Sequence, residues 1–437
     1  MDIYIIGASF AGISCALRAK ELYPEANITL IEKSSTAAFL PGGLLLYLQG
    51  QFKNLTDAVF ITPSELKKKQ ITLKLQETFL DCQLDQHQMI TDKATYHYDK
   101  LILASGSEQK SVNIKAINDD SWNPAYKSYE AAQRTLTKLA SADPVAVIGA
   151  GQAGMEVASS LQEIGKTVHV FEAMDYPLFK YFDADFLNHF VAEIKKIPRL
   201  FFHFNEEITQ IIKNEQYEIQ FAQHKMVCDY VFATVNVHPE VSNFTEKFAL
   251  HSDNTIQTDE YLQTSAADVF AIGDLIHSPL AGRGEAYLPQ INHAVRSGNV
   301  AAENLLKPRQ KLTASLRTLG TKLFGFYLAS TGLIEAEAFF YPQTISSCSF
   351  SLRASLVSEN KIYCKAIYES ESQKLLGLQL LSKENCLAKI NTAALAIEQG
   401  VTLSELKQQD TFFQPLFTGL ADPLNQIYWE SGADHAF

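Results

Sequence analysis

The chain has 437 residues, 46% of them hydrophobic and 20% charged, with a formal net charge of −12. This is the composition of a globular protein of two or three domains. The acidic balance, without a cluster of Lys or Arg, argues against a nucleic-acid partner. Apolar runs such as residues 39–48 are interrupted by Pro and Gly, well short of the ~18 residues of a membrane helix.

In chain order, residues 2–6 read as a short buried strand that begins almost at Met1 with no basic segment before it. No signal peptide is expected there, and the reading is cytoplasmic. Next comes the turn Gly7-Ala8-Ser9-Phe10-Ala11-Gly12, a helical run over 13–22 and an apolar stretch over 28–31 that ends at Glu32. The first glycine allows a tight turn. Small residues at the third and sixth positions let a pyrophosphate approach the helix, whose free N–H groups face the phosphates. An acid at the end of the second strand suits a ribose hydroxyl. Ser9 replaces the middle glycine of the usual pattern.

Residues 101–106 read as another strand, ending in Ala104-Ser105-Gly106. The first pattern then returns: a strand over 145–148, the turn Gly149-Ala150-Gly151-Gln152-Ala153-Gly154, a helix over 155–164, a strand over 168–171, and Glu172. One such glycine motif is a weak signal; two in the same strand–helix–strand–acid context are a strong one. A carboxylate at Glu172 accepts from a 2′-hydroxyl and repels a 2′-phosphate. Ala173-Met174-Asp175 supply no Lys or Arg, so NADH is preferred over NADPH.

Further on, residues 231–239 read as an apolar strand running into a turn, and 268–274 as a strand ending in Gly273-Asp274. Residues 361–368 and 375–381 read as strands around a turn, and 388–399 are apolar at helical spacing. The six cysteines (15, 82, 228, 348, 364 and 386) form no CxxC pair and read as reduced packing residues.

The two glycine motifs, the Ala-Ser-Gly turn and the Gly-Asp resemble the two-dinucleotide-binding flavoproteins of the pyridine nucleotide-disulfide oxidoreductase family. Phe39-Leu40-Pro41-Gly42-Gly43, Leu46-Tyr47-Leu48-Gln49-Gly50, Thr258-Asp259-Glu260-Tyr261, Ala329-Ser330-Thr331-Gly332, Leu376-Gly377-Leu378-Gln379-Leu380 and Phe412-Phe413-Gln414-Pro415 narrow the resemblance. They are similar to the NADH peroxidase, NADH oxidase and coenzyme A disulfide reductase group. That resemblance implies an α/β fold with two Rossmann-like dinucleotide-binding domains and an α+β C-terminal dimerisation domain. FAD would occupy 1–112 with 241–312, NADH an inserted domain over 113–240, and the interface domain 313–437.

The family pattern assigns FAD to Gly7, Ser9, Phe10, Ala11, Gly12, Glu32, Lys33, Pro41, Gly42 and Phe79. It continues through Ala104, Ser105, Gly106, Gly273, Asp274 and Ala294. NADH falls to Gly149, Gly151, Gln152, Ala153, Gly154, Glu156 and Glu172. No metal is expected. Glu156 is a candidate to hold the nicotinamide carboxamide, or an ordinary acid of the first helical turn. Gln152 stands where many relatives place an aromatic gate over the flavin. A homodimer is implied, in which the partner's Phe-Gln-Pro segment, with Gln414, reaches the flavin. Phe412, Phe413, Phe417 and Trp429 suit a buried interface.

The acceptor side departs from the group. Its redox cysteine falls at Gly42, its histidine at Phe10 and an arginine at Val295. The four candidate catalytic positions are therefore Phe10, Gly42, Glu156 and Gln414. Without a thiol nucleophile, the expectation is electron transfer from NADH through flavin to a small acceptor, dioxygen first, giving hydrogen peroxide. One alternative is an NADH:quinone or other small-acceptor reductase, since residues 292–298 loosely resemble a quinone-site helix. Another is a non-catalytic FAD- and NADH-binding redox sensor or partner subunit. The acidic tail over 430–437 argues against a membrane anchor. Asn236, His238 and Glu240 replace the group's usual Gly, Arg and Asn, and their effect on NADH binding stays open.

Overall fold

Strands buried on both faces should read as unbroken apolar runs, and residues 3–6 and 145–148 do. Ile3, Ile5, Val145 and Val147 have no exposed surface. In the computed structural model, which describes residues 1–109, 115–116, 126–235, 237–244 and 246–432, these runs are inner strands of two parallel sheets. The first sheet has the order Val269–Ala271, Lys100–Leu103, Asp2–Ile6, Asn27–Glu32, Ile71–Leu75. The second has Tyr230–Ala233, Val145–Ile148, Val168–Glu172, Leu200–Phe204, in the same sense.

The second sheet lies, in sequence, inside the first, because Val269–Ala271 returns to pair with Lys100–Leu103. Where the chain passes between the two units, Ser107–Gln109 and Val237–Pro239 run antiparallel side by side. Residues 231–239 are therefore not one strand. Tyr230–Ala233 ends in the second sheet, and the chain leaves it before Val237–Pro239 pairs with the other crossing segment. Asn236 lies outside the described residues.

Both helices that follow the glycine motifs begin earlier than hydrophobic periodicity indicates, at Phe10–Leu22 and Gln152–Glu163. The first helical turn is made by the second half of each glycine motif, which carries no apolar repeat to mark it. The strand near 270 is shorter than expected, Val269–Ala271, and Asp274 sits in a 3₁₀ turn, Gly273–Leu275.

The C-terminal part is a five-stranded antiparallel sheet in the order Leu319–Leu323, Phe326–Gly332, Leu375–Ser382, Lys361–Glu369, Ile345–Arg353. Helix Lys389–Glu398 packs on it through Ile390, Ala393 and Ala396. The sheet is joined to the unit that holds the second parallel sheet by a buried charge. Lys365 Nζ, on a side chain only 2% exposed, lies 3.4 Å from Asp183, 2.7 Å from Asp185 and 2.6 Å from Glu335. Among the described residues no helix is long and apolar enough to cross a membrane. Residues 433–437 of the acidic tail lie outside the described residues.

Candidate functional site

The two glycine turns are built on the same hydrogen bonds. Gly7 N–H donates to Ile31 O, and Gly149 N–H to Phe171 O, each at 2.8 Å. Glu32 accepts from Ala8 N–H (2.9 Å) and Ser34 N–H (2.9 Å). Glu172 accepts from Ala150 N–H (2.7 Å) and Met174 N–H (3.0 Å). Each acid thus ties its own turn to the end of the second strand and keeps further acceptor capacity for a ribose hydroxyl.

Glycine is required where the backbone closes on itself. Gly7 has φ +106°, and a Cβ there would come within 2.2 Å of Ala104 O; on Gly12 it would come within 2.0 Å of Gly7 O. Gly149 (φ +94°) and Gly154 repeat this, whereas Gly151 faces open space, which leaves room for a phosphate group. Ser9 caps the first helix with no side-chain hydrogen bond, so its exposed hydroxyl stays available. Ala11 and Ala153 are the small residues beside these turns; Ala11 lies where a Cβ on Gly273 would come within 2.9 Å.

A cleft of about 440 Å³ opens beside the first turn, lined among others by Gly7, Glu32, Lys33, Phe79, Ser105 and Glu240. Phe79 is buried against Phe244, and Lys33 pairs with Glu108. Ser105 Oγ donates to Glu240 O (3.0 Å). Glu240 therefore belongs to the first nucleotide site, and His238 faces Glu108 in the crossing strands. Gly106 turns at φ +77°. Just beyond it, Ser107 Oγ donates to Asp274 (2.6 Å), and Lys127 Nζ donates to Ser107 Oγ (3.2 Å). Burial pushes the Asp274 carboxyl up, while Ser107 and Lys127 pull it down. The first turns of helix Ile291–Asn304 abut Gly273 through Ala294. This cradle of closed and open glycines, acids and a helix N-terminus fits a dinucleotide such as FAD.

Residues 38–43 are fastened to the first glycine turn by Ala38 N–H donating to Ala8 O (2.7 Å), and Phe60 N–H in turn donates to Ala38 O (3.0 Å). Phe10 stacks on Phe60, with ring centroids 4.3 Å apart and planes at 20°. Pro41 and Gly42 are half-buried, and a Cβ on Gly42 would touch nothing within 4 Å. Gly43 differs: a Cβ there would lie 2.5 Å from that of Ala58. The short helix Gly43–Leu48 packs on Gln152–Glu163, which brings this segment to the second unit. On that helix Glu156 accepts from Gln152 Nε2 (3.0 Å) and Thr321 Oγ1 (2.9 Å). Nearby, Gln290 Nε2 donates to Tyr181 Oη (3.2 Å), linking the second unit to the start of helix Ile291–Asn304.

Gln414 is exposed and uses its side-chain oxygen to accept from Leu416 N–H (2.6 Å). No described contact brings it to Gly42 within one chain. Phe412, Phe413, Phe417 and Trp429 are likewise exposed, by 56–72%. In residues 292–298 the polar ends are taken up by the chain itself: Asn292 Nδ2 donates to Thr318 O (3.4 Å) and Arg296 to Thr313. His293 is buried, with neither ring nitrogen hydrogen-bonded, and Val295 is half-buried.

Burial pushes the thiols of Cys15, Cys228 and Cys348 up to about 12, and those of Cys82 and Cys386 to about 11; Cys364 moves in the same direction. None is a thiolate near neutral pH. Sequence reasoning missed Phe60, Ser107, Thr321, Tyr181 and Gln290. Only Ser107 carried a signal, its place directly after the Ala-Ser-Gly turn.

The chain is 28% identical over 434 residues to an NADH oxidase of Enterococcus faecalis, covering 95% of this chain and 96% of that one. A pyridine nucleotide-disulfide family oxidoreductase from Enterococcus faecalis superposes with a TM-score of 0.88 at 36% identity over the full length of both chains. The water-forming NADH oxidase from Lactobacillus brevis, bound to NADH, gives 0.92 at 25% identity, covering 100% of this chain and 99% of that one. Residues 1–298 match the pyridine nucleotide-disulphide oxidoreductase family model and 320–421 its dimerisation domain, so the chain belongs to the pyridine nucleotide-disulphide oxidoreductase family.

Proposed function

We propose that the protein is an FAD-dependent NADH oxidase that works without a redox cysteine and releases hydrogen peroxide. The observation that carries this is the open, thiol-free position at Gly42, with all six cysteines elsewhere in the chain and their thiols pushed up by burial. FAD would lie along Gly7–Gly12, Glu32 and Asp274, within residues 1–112 and 241–312, and NADH along Gly149–Gly154 and Glu172, within 113–240. Bound there, FAD would supply the electron transfer, so that NADH, a proton and dioxygen become NAD⁺ and hydrogen peroxide.

The protein's own task is positioning. Glu156, fixed by Gln152 and Thr321, presents a carboxylate to the carboxamide of the nicotinamide. The helix N-terminus at Ala294 offers positive potential beside Gly273. Phe10 and Phe60 present a stacked aromatic surface to the acceptor side. Glu172, buried and with no Lys or Arg in the three residues that follow, favours NADH over NADPH. The exposed aromatics of residues 412–429, with the matched dimerisation domain, support a homodimer over 313–437 in which Gln414 serves the partner's site.

The test is anaerobic stopped-flow mixing with NADH, then exposure to air. The flavin should bleach and recover, with one hydrogen peroxide per NADH consumed; no bleaching, or water as the product, refutes the proposal. A quinone in place of dioxygen is the second reading, favoured by the flat aromatic face of Phe60, which is 40% exposed. Faster recovery with quinone than with air would establish it.

A further inference from the structure

We propose that His251, His277 and Glu285 form a binding site for a divalent metal ion of the zinc type, with Asp253 as its outer support. The site lies outside the nucleotide cradles. His251 and Asp253 belong to the loop before Ile256, and His277 and Glu285 to the two strands of the hairpin His277–Leu280 and Gly284–Tyr287. His251 Nε2 and His277 Nδ1 lie 3.7 and 3.6 Å from the same Glu285 oxygen. Zinc bound at ~2.0–2.1 Å from nitrogen and oxygen ligands in tetrahedral array holds them ~3.4 Å apart. Both imidazole nitrogens are thus within a few tenths of an ångström of that separation from the Glu285 oxygen, and all three ligand atoms lie within 4.8 Å of one another.

The hydrogen-bond pattern around His277 gives the second reason. Both Thr255 N–H (3.1 Å) and Thr255 Oγ1 (2.7 Å) donate to Asp253 Oδ1. Asp253 Oδ2 lies 2.7 Å from His277 Nε2. A carboxylate only accepts, so Nε2 donates to Asp253, and the ring nitrogen left for a metal is Nδ1. That Nδ1 is buried and has no hydrogen-bond partner, with the Glu285 oxygen 3.6 Å away. A metal ion between them would engage both. An imidazole whose far nitrogen donates to an oriented carboxylate is the usual outer support of a metal ligand. His251 stacks on His277 with centroids 4.1 Å apart. No hydrogen bond of its ring is found among the described residues, so it can turn toward the ion. Glu285 is 56% exposed, which leaves the fourth position to water. The other acidic group of this kind, Asp183, Asp185 and Glu335, is filled by Lys365.

The FAD-loaded protein, stripped with a chelator and passed over a desalting column, should take up one Zn²⁺ per chain, measured by elemental analysis and calorimetry, with a rise in Tm. His277→Ala and Glu285→Gln should abolish stoichiometric uptake, and Asp253→Asn should weaken it ~10-fold or more. Glu285→Gln changes an exposed group and keeps the test valid if His277→Ala fails to fold, as judged by FAD content. His203→Asn, at the other close histidine pair, should leave uptake unchanged. No Zn²⁺ retained by the native protein, or equal uptake by Glu285→Gln, overturns the proposal.

Discussion

Gly42→Cys separates electron transfer by flavin alone from transfer through a thiol. The backbone at Gly42 has φ −88° and ψ 10°, open to any L-residue, and an added Cβ meets no atom within 4 Å. The substitution should therefore fold, and loss of glycine's freedom in the unfolded chain should stabilise it by ~0.4–1 kcal/mol. Gly43→Ala, one residue on, is the contrasting control: its Cβ would press on Ala58 at 2.5 Å, an overpacking cost of ~1–3 kcal/mol. The decisive readout is electron count. In anaerobic titration the native protein should bleach fully with one NADH per FAD. An air-oxidised Gly42→Cys protein in which the new sulfur has become redox-active should need two. The thiol would lack the charged partners of the group, since its histidine and arginine positions fall at Phe10 and Val295. A native protein that needs two NADH per FAD already holds a second redox centre, and the thiol-free mechanism is then wrong.

Iodoacetamide at pH 7.5 should leave NADH turnover unchanged over an hour, because all six thiols are pushed far above that pH by burial; rapid inactivation would expose a reactive cysteine. Lys365→Met should destabilise the FAD-loaded protein by ~3 kcal/mol, the low end for breaking a buried pair. Asp185 and Glu335 can hydrate, and Asp183 keeps its bonds from Gln379 and from the Glu335 and Ala336 N–H groups; an unchanged urea midpoint would contradict this. Stability should also fall on acidification. Burial, with the neighbouring His203, holds His169 down to about 4, and burial with Arg296 does the same to His293 against the pull of the Gly273 backbone. Their unfolded forms bind protons first, so stability is complete above about 6.5 and declines toward pH 4. His293→Leu should flatten that decline in urea melts run from pH 7 to 4.5.

The donor half of this protein is legible in the sequence because its chemistry is carried by short, contiguous segments. A strand, a glycine turn and a terminal acid are adjacent in the chain, so the places of Gly149 and Glu172 follow from local order alone. The fold follows for the same reason, apart from helix starts hidden in the glycine motifs and the strand break after Ala233. The acceptor half is assembled from distant pieces. Phe60 reaches Phe10 only because Ala38 hydrogen-bonds both the first glycine turn and residue 60. Contacts outside the acceptor half are assembled from distance too: Thr321 reaches Glu156 of the donor side from the C-terminal sheet, and the histidines at 251 and 277 meet Glu285 across a hairpin and a loop. No local pattern encodes such meetings.

The same contrast bears on function. Backbone geometry at Gly7, Gly12, Gly149 and Gly154 tolerates almost no change, since a Cβ added at any of them strikes a carbonyl or a neighbouring side chain within 2.5 Å. At Gly42 a side chain strikes nothing. The two glycine turns are therefore locked into the fold, while position 42, on the proposed acceptor side, can take a side chain without disturbing it. A thiol can be lost or gained there at little structural cost. A family that shares the first half of the reaction can thus differ in the second, and the proposed function places that difference, for this chain, at positions 10, 42 and 60.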